Sequence, residues 1–68
     1  MSDPINVRML VPGTRIVLTD GAVAEIVSNP EDGVWLFARY IESPRDPALI
    51  GQEDMIFAQD VVEVRPAG

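Results

Sequence analysis

The stretch Thr14-Arg15-Ile16-Val17-Leu18-Thr19-Asp20-Gly21-Ala22-Val23-Ala24-Glu25-Ile26-Val27-Ser28 decides the fold. Two runs rich in β-branched residues flank Asp20-Gly21, a dipeptide that favours a tight hairpin turn. A two-residue type I′ turn is expected there, with φ > 0 at both central positions. Polar breaks set the facing. Arg15 and Thr19 point outward and leave Ile16 and Leu18 inside, while Glu25 points outward and leaves Ala24 and Ile26 inside.

The same reading extends along the chain. Pro12-Gly13, Asn29-Pro30-Glu31-Asp32-Gly33, Ser43-Pro44-Arg45-Asp46-Pro47 and Gly51 punctuate it at short intervals. Strands are expected over Thr14–Thr19, Ala22–Ser28, Val34–Glu42, Asp54–Ala58 and Val62–Arg65, with a long loop over Ser43–Gln52. No segment carries a helical apolar period of useful length, and the prolines would interrupt one. In Val34–Glu42, an outward Arg39 places Val34, Leu36, Ala38 and Tyr40 inside; in the last strand, Val62 and Val64 face inward around Glu63. Ala24 and Ala38 are small enough for strands that cross closely in a narrow barrel. Within residues 1–10, Ile5, Val7 and Met9 alternate with Asn6 and Arg8, a pattern open to an edge strand or a flexible arm.

The 68 residues make one domain, 1–68. A chain this short buries only about 60% of the surface its unfolded form exposes. Cysteine and histidine are both absent, so no disulfide, thiolate zinc site or imidazole base is available. The chain must hold itself by apolar packing, or borrow surface from a partner or a second copy. Eleven carboxylates face five arginines, with no lysine, for a formal charge of −6. That balance opposes phosphate backbones and anionic membranes. The N-terminus lacks the basic-then-apolar pattern of a secretion signal, and a cytoplasmic address is the default expectation.

The segment Pro12–Gly21 resembles the opening strand and first turn of the SH3-like small barrels, and Val34–Glu42 resembles their long middle strand. Phe57-Ala58-Gln59-Asp60-Val61-Val62-Glu63-Val64 is similar to the short 3₁₀ turn and closing strand that end such domains. The small SH3-like photosystem I subunit and the nitrile hydratase β-subunit barrel end in this way. The resemblance covers about Val11 to Arg65 and implies an all-β fold, a small five-stranded SH3-like antiparallel barrel; a fold of this kind hosts many unrelated functions. Ile16–Gly21 also matches the apolar-x-apolar-x-x-Gly opening of the KOW motif of ribosomal and transcription-factor barrels. The chain departs from that motif after Gly21, where the segment is short and the basic residues are missing.

Catalytic chemistry is not expected. Ser2, Ser28, Ser43, Thr14 and Thr19 have no histidine or lysine to activate them. The carboxylate pairs Glu31-Asp32 and Glu53-Asp54 are sequence neighbours, which point apart in extended chain. Asn29–Gly33 supplies only part of a calcium loop and reads better as a solvated turn. No cofactor, metal or small-molecule substrate is expected. The informative set is Trp35, Phe37, Arg39 and Ile41. With Leu36 and Ala38 inside, these four share the outer side of one strand, and such apolar patches mark interaction surfaces. Two other readings stand beside it: residues 1–10 cover this face as a second small core, or the register is inverted and Trp35 and Phe37 fill the interior. The functional expectation is a non-enzymatic module that binds another protein or itself. The alternative is a KOW-like contact with nucleic acid or the ribosome, for which Arg8, Arg15, Arg39 and Arg45 would have to cluster.

Overall fold

A computed structural model describes residues 10–65. The described chain is all-β: β1 (Arg15–Leu18), β2 (Val23–Ser28), β3 (Trp35–Glu42), β4 (Glu53–Phe57) and β5 (Val61–Arg65) form one antiparallel sheet. Its order is β4-β3-β2-β1-β5, so β1 to β4 pair in succession and β5 returns to pair with β1. Two single 3₁₀ turns, Pro47–Leu49 and Ala58–Asp60, are the helical elements among the described residues. No helix among them is long and apolar enough to cross a membrane. The edge strand or arm considered for residues 1–10 lies, but for Leu10, outside the described residues.

One side of the sheet closes over the core. Ile16 and Leu18 of β1, Ala24 and Ile26 of β2, Leu36 and Ala38 of β3, Ile56 of β4 and Val61 of β5 are buried together, with Ala22 from the first turn. The facing read from Arg15, Glu25 and Arg39 therefore holds through the middle of the sheet. Leu36 and Ala38 are wholly inaccessible, which rules out the inverted register for β3.

Two inward assignments are corrected. Val62 is 56% exposed and Val61 takes its place in the core. The cause is a bulge: Val17 pairs with Glu63 but Leu18 with Val61, leaving Val62 unmatched. Val34 is 41% exposed. It precedes β3, beyond the last core layer, and its carbonyl accepts the Ala58 amide at 2.7 Å. Tyr40 is half-buried and packs on the core from its margin.

The turns are built from local side chains. Asn29 Oδ1 accepts the Glu31 amide, and Asp32 Oδ1 accepts the amides of Val34 and Trp35 at 2.8 and 3.0 Å, which closes the loop and starts β3. The Ser43–Gln52 loop contains one 3₁₀ turn, capped by Asp46, whose Oδ1 accepts the Ala48 amide. It is tied back to β3 where the Tyr40 amide donates to the Gln52 carbonyl.

The first hairpin differs from the two-residue turn expected. The Gly21 amide donates to the Leu18 carbonyl at 2.9 Å and the Leu18 amide to the Ala22 carbonyl at 2.8 Å. The loop is therefore three residues, Thr19-Asp20-Gly21, of which Gly21 alone has positive φ, at 88°. This is a type I turn followed by a left-handed bulge residue. Asp20 Oδ1 accepts the Ala22 amide at 3.0 Å and stiffens it. A Cβ on Gly21 would meet only Pro44 Cγ, at an ordinary 3.7 Å. The glycine is thus required by backbone conformation and not by space. Gly21→Val should cost about 1–2 kcal/mol in a urea melt and Gly21→Asn distinctly less, because Asn tolerates the left-handed region. Equal losses for the two variants would show that space, and not φ, governs the site.

Candidate functional site

The outer face of β2, β3 and β4 is ordered by the cross-strand register. Arg39 lies opposite Glu25 on β2 and Glu53 on β4. Glu25 in turn faces Arg15 on β1, and Arg15 faces Arg65 on β5. A charged row Arg65, Arg15, Glu25, Arg39, Glu53 therefore crosses the sheet. Directly beside it, Phe37 lies between Ser28 and Met55. One step further, Trp35 lies opposite Phe57, with ring centroids 5.0 Å apart and planes tilted by 56°. That separation suits a tilted aromatic pair.

Three of the four residues singled out in the sequence are brought together. Phe37 is 41% exposed and Arg39 is exposed, while Trp35 is half-buried against Phe57. Ile41 behaves differently. It falls where the β2–β3 register jumps from Ala24↔Tyr40 to Val23↔Glu42. Alternation from Arg39 ends at that bulge, and the half-buried Ile41 has no place in the rows above.

Sequence reasoning missed the half of the face that β4 supplies. Met55 is 46% and Phe57 37% exposed. Both alternate with buried Ile56, and that period-two signal was present in Glu53–Phe57. What the sequence did not carry was the pairing that sets Met55 beside Phe37 and Phe57 beside Trp35.

The margin of the face is acidic. Glu25 and Glu53 flank Arg39, and the Asp32 carboxylate is held at the Trp35 amide. A cleft of about 170 Å3 between β4 and the first turn is lined by Met55, Phe57, Asp20 and Asp60 together with Leu18, Tyr40 and Ile56 from the core side. A larger cleft of about 400 Å3 lies elsewhere, where Leu10, Val11 and Pro12 meet Val27 and Asn29. It meets the face at Ser28, the β2 neighbour of Phe37. Among the described residues no group of three or more carboxylates is gathered as a metal site.

Burial and the carboxylates of Asp54, Asp20 and Asp60 push the Tyr40 phenol above its ordinary value of 10.0. Each acts in the same direction, since low polarity and negative charge both disfavour phenolate. The chain matches no family model, no curated protein and no solved structure.

A folded-state phenol raised above its unfolded value contributes stability that is complete below the unfolded value and lost as pH rises through the folded one. Tyr40 is the sole tyrosine and the chain lacks lysine and cysteine. Urea midpoints should therefore fall as pH rises above about 10, and Tyr40→Phe should remove that fall. A midpoint that drops equally in the variant would assign the alkaline loss to another group.

Proposed function

We propose that this chain is a non-enzymatic protein-interaction module of the cytoplasm, an SH3-like small barrel in fold, that works through the outer face of β3 and β4. The reading rests on one observation: Phe37, Met55 and Phe57 are contiguous on one sheet face and each is more than a third exposed. Large apolar side chains gathered in this way are uncommon on a monomer's surface unless something binds them. Trp35 and Arg39 add residue types that dominate interface centres. The sheet order, a meander whose fifth strand returns to the first, supports the SH3-like assignment. So does the 3₁₀ turn at Ala58–Asp60 that leads into β5.

The nucleic-acid alternative finds less support. Arg39 sits between two glutamates, and the neighbouring Arg15 and Arg65 stand beside Glu25 and Glu63, with Arg65 Nε 3.1 Å from Glu63 Oε2. Cations interleaved with carboxylates do not form the continuous positive surface that neutralises phosphates. An enzymatic reading would need a nucleophile with a base, and the chain offers no imidazole, thiol or amine side chain.

Truncating a half-exposed Phe37 should cost at most about 1–2 kcal/mol, because the side chain forgoes only part of its burial. Leu36→Ala, in the core beside it, should cost about 2–5 kcal/mol. Phe37→Ser should therefore remain folded by urea melt and lose partner capture. Loss of folding on the scale of Leu36→Ala would remove the face from consideration as a binding surface.

A further inference from the structure

We propose that the β3–β4 face receives a basic amphipathic segment of another protein, with its apolar side chains on Trp35, Phe37, Met55 and Phe57 and its cations against the surrounding carboxylates. This deepens the interaction reading above and rests on it. Charge complementarity selects the occupant. On one side the apolar rows are bordered by Glu25 and Glu53 with Arg39 between them, and at Trp35 by the Asp32 carboxylate, so carboxylates outnumber the cation there. At the β4 edge, the cleft that Met55 and Phe57 share with core-side Leu18, Tyr40 and Ile56 also holds Asp20 and Asp60. Complementary potentials of this kind fix which partner approaches and in what orientation.

A second copy fits less well. Each chain carries a formal −6, and an isologous pair would set one acidic margin against another. Strand addition at β4 is also disfavoured. The Tyr40 amide donates to Gln52 and the Ala58 amide to Val34. Antiparallel alternation then turns the amides of Asp54, Ile56 and Ala58 toward β3, and those of Glu53, Met55 and Phe57 away from it. The central outward amide, that of Met55, is already taken by Asp54 Oδ1 at 2.8 Å. Strand addition would have to displace that carboxylate, whereas the side chains of the face can be met without such a rearrangement.

The test uses the full chain and two synthetic amphipathic peptides without aromatic residues. They share one set of leucines and differ in carrying lysine or glutamate at every polar position. Trp35, the sole tryptophan, reports binding by its emission. The lysine peptide should bind at least about tenfold more tightly than the glutamate peptide, and most of that preference should vanish at high salt. Phe37→Ser and the more exposed Met55→Ser should each weaken the lysine peptide several-fold, read alongside a urea melt that verifies folding. Equal binding of both peptides, lost in Phe37→Ser, would overturn the basic partner while sparing the face. Lysine-peptide binding undiminished in both variants would overturn the face as well. Binding of neither peptide would overturn the proposal, and concentration-dependent sedimentation in that case would name a second copy as the occupant.

Discussion

The guanidinium of Arg39 stays in water because an unpaired charge taken into a small apolar core costs several kcal/mol. That constraint fixes the register of β3, the longest strand and one paired on both sides. With Arg39 outward, period-two geometry sends Leu36 and Ala38 inward, where both are fully buried, and leaves Phe37 on the opposite side. The neighbours follow. Ala24 and Ile26 on β2 meet β3's inward residues, and Ile56 on β4 lies opposite Leu36. The core and the candidate binding face are thus two sides of one decision.

The arrangement of charge and apolar surface has a physical logic. Glu25 and Glu53 sit across from Arg39 and moderate its charge without forming a close ion pair in the core. Exposed pairs of this type contribute little stability, so their value lies in defining the electrostatic surroundings of the aromatic rows. Trp35 and Phe57 lean on each other and hide part of their area. The contact restrains both rings, which would lower the side-chain freedom lost if the proposed face were covered.

The all-β class, the five strands and the inward residues of β1, β2 and the middle of β3 were legible in the sequence because polar residues interrupt each apolar run at period two. Legibility failed where the ladder stops being regular. Val62 and Ile41 each sit at a register jump, and a bulge is a property of two strands that neither reveals alone. The Asp20-Gly21 dipeptide marked the turn correctly, yet loop length depended on Leu18 pairing with Ala22. The candidate face was half legible. Trp35, Phe37 and Arg39 announced themselves by spacing, whereas Met55 and Phe57 became part of it only through the β3–β4 pairing.

The Asp54 carboxylate on the Met55 amide bears on how this protein behaves when crowded. A short apolar edge strand with free amides can template its own kind, and repeated addition leads to cross-β fibres. Here the group an incoming strand would grasp at the middle of β4 is already occupied by a charged neighbour. An incoming strand would have to displace that carboxylate before it could pair with the middle of β4.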